Sequence, residues 1–328
     1  MGNSIKKIGV FTSGGDAPGM NAAIRAVVRS AIFYKKEVFG IMKGYEGMIE
    51  GDIVKLGARS VSNIIQRGGT ILKTARCDEF RTEEGRQKAY DNLKKEGIDA
   101  LVAIGGNGTF TGLHKFYQEH KIPSICIPGT IDNDLAGTDF SIGYDTATNT
   151  AVEAIDKIRD TALSHSRLFF IEVMGRNSGY IAINSGIAGG AVAIIVPEDT
   201  VTFEDLYNRL VEGGTTGKKS SVVVVAEGSK IGGANELAKK VAERSSYFDI
   251  KVTILGHLQR GGAPTYFDRV LASKMGVAAV EGLIQGQNDS MVGMRGMEIV
   301  FNDFESIISA QHNIIDEESM RIAKILSI

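Results

Sequence analysis

Short apolar segments alternate with longer amphipathic segments along most of this chain, and this alternation constrains the fold more than any other feature. Apolar residues at helical spacing predict helices at residues 20–33, 144–163, 203–211, 236–244 and 269–284. The short apolar segments predict strands at residues 8–11, 100–104, 124–127, 168–173, 191–196, 221–226 and 251–255. Strands that are separated by crossover helices pair in parallel. The sequence therefore predicts an α/β protein with a mostly parallel sheet.

Length and composition narrow the class of protein. At 328 residues the chain exceeds the size at which a single core usually keeps growing, so we expect two lobes. A formal net charge of −2 argues against a broad nucleic-acid surface or a basic membrane face. No apolar run reaches the roughly 18 residues of a membrane helix, and no secretory apolar segment follows the N-terminus. With only two cysteines, Cys77 and Cys126, the sequence predicts a protein of the reducing cytoplasm.

Nearly every predicted strand is followed at once by a glycine-rich or charged motif. These motifs occupy residues 12–16, 105–109, 128–134, 174–176, 227–228 and 256–262. Parallel strands bring their C-terminal ends to one edge of a sheet, where ligands bind in open α/β folds. We therefore expect the motifs to form one cleft, or one cleft in each lobe.

The glycine loops and nearby cations predict a phosphate ligand. Residues 13–16 and 105–109 each lie between a strand and a helix, so backbone N–H groups and a helix N-terminus can face an anion. Neither loop matches G-x-G-x-x-G, and residues 213–220 miss the spacing of a P-loop by one residue. Turn geometry alone explains one such loop equally well. The convergent cations resemble phosphate clamps: Arg76, Arg167, Arg176, His257 and Arg260.

Three oxygen-bearing side chains, Thr130, Asp132 and Asp134, alternate directly after a predicted strand. In extended backbone they share one face and can converge on a ligand, although an Asx-rich turn is an equally good explanation of this loop alone. Glycine loops, a cationic clamp and a carboxylate pair together are what phosphoryl transfer requires. Asp132 is the candidate base, because an ordinary Asp is ionised at neutral pH and can accept a hydroxyl proton. Metal, hydroxyl or structural roles remain open for Asp16 and Asp134.

Six segments together resemble the bacterial ATP-dependent 6-phosphofructokinases (type A): residues 8–29, 67–70, 105–109, 128–134, 172–176 and 256–264. The resemblance implies transfer of the γ-phosphoryl group of ATP, with Mg²⁺, to the 1-hydroxyl of fructose 6-phosphate in glycolysis. It implies two Rossmann-like, three-layer α/β lobes: a larger nucleotide lobe of residues 1–138 and about 251–305, and a smaller sugar-phosphate lobe of 139–250 and about 306–328. It also implies a homotetramer with active sites shared between subunits.

The resemblance also assigns roles to individual residues. Catalysis falls to Asp132, Arg76, Arg176 and Thr130, with Asp132 as the base. The sugar phosphate is expected to contact Thr130, Ile131, Asp132, Asp134, Arg167, Met174, Gly175, Arg176, Glu227, Lys251, His257, Leu258, Gln259 and Arg260, of which Arg167 and Lys251 reach across from a neighbouring subunit. The nucleotide site comprises Gly14, Gly15, Tyr45, Arg76, Cys77, Gly106, Asn107, Gly108 and Thr109. An effector site between subunits retains Arg25, Arg29, Arg159 and Lys218, with Arg59 as a substitute for its neighbour.

Several positions bear on the donor, the metal and regulation. Relatives that use pyrophosphate have Asp at the position of Gly108 and Lys at that of Gly129, so the two glycines favour ATP. Asn107 stands where the family has an Asp that holds Mg²⁺, and it keeps an oxygen ligand but loses the charge. Three alternatives for the function remain: an active ATP-dependent enzyme, a pyrophosphate-dependent one, or a weakly active regulatory nucleotide-binding paralogue.

Two further departures from the family concern the sugar phosphate and the effector. Lys251 replaces an Arg at a contact with the 6-phosphate, which predicts a modest rise in KM for the substrate. The family's effector-site residues are also replaced at Ala58, Asn63, Val192 and Thr216, and the loss of a Glu at position 192 removes a ligand of the effector's metal, which disfavours ADP activation.

Overall fold

The computed structural model describes residues 5–165, 167–215, 221–310 and 317–326. The chain divides into two compact units with interleaved segments. The first unit comprises Met1–Ile131, Leu135–Asp145 and Arg260–Gln311, and the second comprises Asp132–Asp134, Thr146–Gln259 and His312–Ile328. In the described part of the chain, no helix has the length and apolar character needed to span a membrane.

The first unit is built on a seven-stranded sheet. Its strands are β1 (Lys7–Thr12), β2 (Glu37–Ile41), β3 (Ile53–Leu56), β4 (Ala100–Gly105), β5 (Ser124–Pro128), β10 (Ser290–Arg295) and β11 (Glu298–Asp303), in the order β11-β10-β5-β4-β1-β2-β3. The central pairs are parallel, whereas β2–β3 and β10–β11 are antiparallel pairs at the two edges. Strands β4 and β5 are buried throughout, which explains their continuous apolar sequence.

Helices cover the sheet of the first unit. They are α1 (Met20–Phe33), α2 (Tyr45–Glu50), α3 (Glu83–Glu96), α4 (Asn107–His120), α9 (Tyr266–Ile284) and α10 (Phe304–Ser309). Helices α1 and α9 pack closely: a side chain at Gly276 of α9 would lie 2.5 Å from the Cβ of Ala26 in α1. Glycine is required at this position because the two backbones approach so closely.

The second unit contains a four-stranded, wholly parallel sheet. The strands are β6 (Arg167–Val173), β7 (Ala193–Ile195), β8 (Ser221–Ala226) and β9 (Asp249–Ile254), in the order β7-β8-β6-β9. The helices are α5 (Tyr144–His165), α6 (Tyr180–Ala188), α7 (Phe203–Thr215), α8 (Ala234–Arg244) and α11 (Glu317–Leu326). The first two residues of α5 belong to the first unit and the rest to the second, so the chain passes between the units within one helix.

The structure confirms the α/β class and the mostly parallel sheets. Helix α1 has the predicted bounds, and the other four predicted helices differ from the observed ones by a few residues at their ends. The four strands of the two antiparallel edge pairs were not predicted, because four to six residues of mixed polarity carry little periodic signal. Strand β9 pairs with β6, so the chain returns to the first unit at Arg260 rather than near residue 251.

Candidate active site

Three strand ends meet at one edge of the sheet in the first unit. Strands β1, β4 and β5 are neighbours, and each is followed by one of the predicted motifs. The backbone N–H of Ser13 donates to the carbonyl of Ile104 (3.0 Å), and that of Gly129 donates to the carbonyl of Gly105 (2.9 Å). A Cβ at Gly106 would lie 3.7 Å from the Cβ of Thr130. The motifs at 13–16, 105–109 and 129–130 therefore form one continuous surface, as the sequence predicts.

Helix α4 begins inside this surface. Its N-cap residue, Gly106, provides no side-chain cap, and the first turn of the helix contains no acidic residue. A Cβ added at Gly108 would meet no atom within 4 Å, so that face of the first turn is open. Uncapped N–H groups and the positive end of the helix dipole favour an anion at this position. The geometry therefore fits a phosphate group beside Gly106, Asn107 and Gly108.

Two residues assigned to the nucleotide are buried supports of this turn. The phenol of Tyr45 donates to the carbonyl of Thr109 (2.6 Å) and its ring stacks on Phe80, and burial raises the pKa of Tyr45 well above its ordinary value. The hydroxyl of Thr109 donates to the carbonyl of Ser13 (3.2 Å). Both side chains thus hold the glycine loops in position, and neither presents its polar group to solvent.

The first glycine loop, which the resemblance assigns to the nucleotide, packs against Arg260. Arg260 packs over Gly15 so closely that any Cβ there would collide with its guanidinium group. Its Nη1 lies 3.8 Å from a carboxylate oxygen of Asp16, whose charge the sequence had left without a role. Arg76 is exposed, and Cys77 is half-buried with a pKa that burial raises. The structure thus places Arg260 beside the first glycine loop, whereas the resemblance assigns it to the sugar phosphate.

The candidate base lies in the second unit. Thr130 and Ile131 end a segment of the first unit, and Asp132 begins the next segment of the second. Asp132 is 5% exposed, and its Oδ2 lies 3.7 Å from Nε of Arg176. Asn133, the next residue, has a left-handed backbone with φ of 49°. A carboxylate and a guanidinium group that the sequence indicates separately therefore lie side by side within one unit.

The loop after β6 forms a sharp turn next to this carboxylate. Gly175 and Arg176 have positive φ angles of 140° and 53°, and the N–H of Ser178 donates to the carbonyl of Gly175 (2.8 Å). Glu227 accepts from the backbone N–H groups of Gly175 (3.3 Å) and Arg176 (2.8 Å). A non-glycine residue with positive φ is uncommon and often marks a functional turn. Glu227 therefore fixes the loop that carries Arg176.

The 3-10 helix Gly256–Arg260 carries both exposed and buried side chains. His257 and Leu258 are exposed, whereas Gln259 is 0% exposed and its amide oxygen accepts from the N–H of Met174 (2.9 Å). The Gln259 side chain therefore supports the loop after β6, a role that the resemblance does not assign to it. Sequence alone did not separate it from His257 and Leu258, because all three stand in one motif.

One acidic residue that the sequence did not indicate joins two predicted phosphate ligands. Asp249 lies 2.7 Å from Nε of Arg167 and 2.8 Å from Nζ of Lys251. Hydrogen bonds from Lys251 and Arg167 lower the pKa of Asp249. Within one chain, both cations thus share a carboxylate. A sequence signal existed, because Asp249 and Lys251 alternate on one strand, but their pairing with Arg167 depends on the register of β9 and β6.

The residues assigned to an effector are spread over both units. Arg25 is half-buried on α1, and Arg29 and Arg59 are exposed in the same unit. Arg159, in the second unit, donates to the carbonyls of Gly189 and Gly190 at the end of α6. Lys218 lies outside the described residues. The guanidinium of Arg159 therefore caps a helix, a role that the sequence did not indicate.

The side chains that could bind a metal near α4 limit the kind of metal site that the described residues can form. Within residues 5–165, 167–215, 221–310 and 317–326, no three His, Cys, Asp or Glu side chains cluster as metal ligands. Asn107, the first residue of α4, is half-buried and offers a neutral amide oxygen. Mg²⁺ bound with nucleotide phosphates needs only one or two protein oxygens. The residues thus fit a Mg²⁺ ion that phosphates bring with them and do not fit an ion held by protein alone.

The two glycines that favour ATP are not equivalent. Gly108 has open space at its Cβ position, whereas a Cβ at Gly129 would lie 3.0 Å from Ile104 and 3.3 Å from Met20. A side chain at Gly129 would therefore require Ile104 and Met20 to shift slightly, whereas one at Gly108 would enter open space beside the first turn of α4.

Comparisons with known proteins agree with this geometry. The sequence profile of the family described as phosphofructokinase matches residues 7–283. The chain is 54% identical over 323 residues to an ATP-dependent 6-phosphofructokinase of Cytophaga hutchinsonii, covering 98% of each chain. It is 55% identical over 324 residues to ATP-dependent 6-phosphofructokinase 1 of Thermus thermophilus, covering 99% of this chain and 100% of the relative.

Solved structures show the same fold. The phosphofructokinase of Saccharomyces cerevisiae superposes with a TM-score of 0.87 at 36% identity over 98% of this chain, which spans 46% of the yeast chain. A pyrophosphate-dependent phosphofructokinase of Marinobacter aquaeolei gives a TM-score of 0.85 at 21% identity, covering 99% of this chain and 92% of the other, and at that identity it supports the fold alone. The chain belongs to the phosphofructokinase family.

Proposed function

We propose that this chain transfers the γ-phosphoryl group of ATP to the 1-hydroxyl of fructose 6-phosphate, giving fructose 1,6-bisphosphate and ADP in glycolysis. The observation that carries the proposal is identity of 54% and 55%, over nearly the full length of both chains, to relatives named ATP-dependent 6-phosphofructokinase. The site geometry supports it, because an open helix N-terminus and a buried carboxylate with a guanidinium partner both follow strand ends.

On the acceptor side, Asp132 takes the proton of the attacking hydroxyl. Its burial and the nearby Arg176 favour this role, because a fixed carboxylate can orient the hydroxyl as the bond to phosphorus forms. Arg176 offsets the negative charge that develops between base and phosphate. Asp134, His257 and Glu227 are proposed to bind the sugar phosphate, and Gln259 and Glu227 to position the loop that carries Met174 and Gly175.

On the donor side, backbone N–H groups of Gly14, Gly15 and the first turn of α4 are proposed to hold the phosphates of the nucleotide. Arg76 is exposed and is proposed to bridge the transferring phosphates with its planar fork of donors. Asn107 would hold Mg²⁺ through its amide oxygen, and the ion would neutralise phosphate charge. Arg260 contacts the first glycine loop at Gly15.

Assembly, location and regulation are also proposals. We infer a homotetramer in the cytoplasm, in which Arg167 and Lys251 bind the 6-phosphate of a substrate held by a neighbouring subunit. Regulation by an effector at Arg25, Arg29, Arg59 and Lys218 is retained as a proposal. Arg159 contributes less directly than the resemblance implies, because its guanidinium group already binds two carbonyls of the same chain.

Two alternatives are separated by the donor that the chain uses. A pyrophosphate-dependent enzyme is disfavoured because the chain is 54% and 55% identical to relatives named ATP-dependent, but only 21% identical to the pyrophosphate-dependent phosphofructokinase of Marinobacter aquaeolei. A weakly active regulatory paralogue is suggested only by Asn107. A coupled assay of fructose 1,6-bisphosphate formation with Mg-ATP and with Mg-pyrophosphate distinguishes all three. We expect product with Mg-ATP alone; no product with either donor at high Mg²⁺ would support the paralogue.

The Asn107→Asp variant tests the metal assignment. A carboxylate at this position adds a negative charge beside the phosphate-bound ion. We expect the half-saturating Mg²⁺ concentration to fall by about threefold to tenfold, with little change in kcat at saturating Mg²⁺. Steady-state rates across a Mg²⁺ titration measure this. Identical titrations for the two proteins would remove Asn107 from the metal site.

The Asp249→Asn variant tests whether Arg167 and Lys251 bind an anion. Removing the shared carboxylate leaves both cations without their intrachain counter-charge, so an anionic ligand binds more tightly. We expect KM for fructose 6-phosphate to fall about threefold to tenfold at low ionic strength and by less at high salt. A higher KM would instead show that Asp249 holds the two cations in their binding geometry. Glu318→Gln, which breaks an exposed ion pair with Arg321, is the control and should leave KM unchanged.

A further inference from the structure

Ser178 makes a buried contact with the segment that carries the candidate base. Its side chain is 2% exposed, and its hydroxyl donates to the backbone carbonyl of Asp132 (2.8 Å). Both residues belong to the second unit. The bond joins segments 46 positions apart in sequence, and it lies on the main chain of the base rather than on its carboxylate. Ser178 therefore fixes the backbone from which the Asp132 side chain projects.

The same serine closes the turn that presents Arg176. Its N–H donates to the carbonyl of Gly175, and a Cβ at Gly175 would collide with the carbonyl oxygen of Ser178. Glu227 also holds the turn, and a Cβ at Gly228 would collide with the carbonyl oxygen of Arg176. Because the turn is packed so closely, a shift at Ser178 changes the position of Arg176 relative to Asp132.

We propose that Ser178 is a positioning residue of the phosphoryl-transfer site, which sets the geometry between the Asp132 carboxylate and the Arg176 guanidinium group. The inference rests on the proposed function, since the carboxylate must be the base for its position to affect turnover. The hydroxyl of Ser178 donates to the main chain of Asp132, so Ser178 acts on the position of the carboxylate through the backbone. A misplacement of about 1 Å can slow a reaction that depends on alignment, while ground-state binding is little changed.

The Ser178→Ala variant removes the hydroxyl and leaves the volume of the turn nearly unchanged. We expect kcat with Mg-ATP to fall about tenfold, while KM for ATP and fructose 6-phosphate stays within about twofold. The matched control is Ser185→Ala, which removes another buried hydroxyl of the same unit, one that donates to the carbonyl of Ile181 within α6 (2.6 Å). Ser185→Ala should keep the kcat of the unaltered protein. Thermal unfolding midpoints of both variants establish that each is folded.

A double-variant comparison separates positioning from general weakening of the fold. In an Asp132→Asn background the base is already absent, so Ser178→Ala should lower kcat by less than about twofold. A tenfold loss in that background, or equal losses for Ser178→Ala and Ser185→Ala, would overturn the inference while leaving the proposed function intact. No product from the unaltered protein with Mg-ATP contradicts the proposed function itself, and the inference with it.

Discussion

Replacement of Asp132 by Asn is expected to lower kcat for fructose 1,6-bisphosphate formation by about 10²- to 10⁴-fold. The amide has nearly the shape of the carboxylate but cannot accept the proton of the sugar hydroxyl at neutral pH. Asp132 is buried at the start of a segment of the second unit, so a solvent carboxylate or water has little access to replace it. ATP affinity should change by less than about threefold, because the glycine loops and α4 belong to the other unit.

Three measurements on Asp132→Asn make this result specific. Steady-state kinetics give kcat, equilibrium titration gives ATP affinity, and a thermal unfolding midpoint close to that of the unaltered protein shows that the fold is retained. Asp91→Asn, the same substitution on the exposed surface of α3, should retain full kcat. Turnover of Asp132→Asn within tenfold of the unaltered protein would assign the base to another group.

Much of the fold was predictable because its central strands read as continuous apolar runs and several of its helices repeat apolar residues at helical spacing. The central strands β4 and β5 are buried throughout and read as continuous apolar runs. The edge strands were not predictable, since β3 has only four residues and two of them are exposed. The boundary between the units depends on the pairing of β9 with β6, and such long-range pairing is not encoded in local spacing.

The site was predictable at the level of motifs and less so at the level of single side chains. The rule that parallel strand ends share an edge brings the glycine loops together in the first unit and the motifs after β6, β8 and β9 in the second. Which side chains face solvent was not predictable: His257 and Gln259 stand two residues apart, and only one is exposed. The contacts of Ser178 and Asp249 were missed because they depend on tertiary packing between distant segments.

The largest expected effect on stability comes from a buried arginine of α3 in the first unit. Arg86 of α3 is 3% exposed, and its Nε and Nη2 donate to the two carboxylate oxygens of Glu119 in α4 (2.6 and 2.7 Å). Its Nη1 donates to the carbonyls of Phe80 and Arg81, which lie in the 3-10 helix Glu79–Arg81. One guanidinium group therefore ties together α3, α4 and the segment after Arg76.

Replacing Arg86 by Met is expected to lower the free energy of unfolding by about 3 kcal/mol, at the lower end of the range for breaking a buried ion pair, because Glu119 is 28% exposed. Urea denaturation measures this. Arg81→Met, which breaks an exposed pair with Asp78, is the control and should cost less than about 0.5 kcal/mol. An equal effect of the two substitutions would show that the buried pair is not a major contributor to stability.

The pH dependence of the same pair provides an independent check. The hydrogen bond from Arg86 lowers the pKa of Glu119 below its ordinary value of 4.5. A carboxyl group with a lowered folded-state pKa contributes its full stabilisation above the unfolded-state value, and this contribution is lost as the pH falls through the folded-state pKa. The difference in unfolding free energy between the unaltered protein and Arg86→Met should thus be constant from neutral pH down to about 5 and should narrow below about 4.5. A difference that stays constant to pH 3 would mean that the loss in Arg86→Met comes from packing and from the bonds to Phe80 and Arg81, and not from the charge of Glu119.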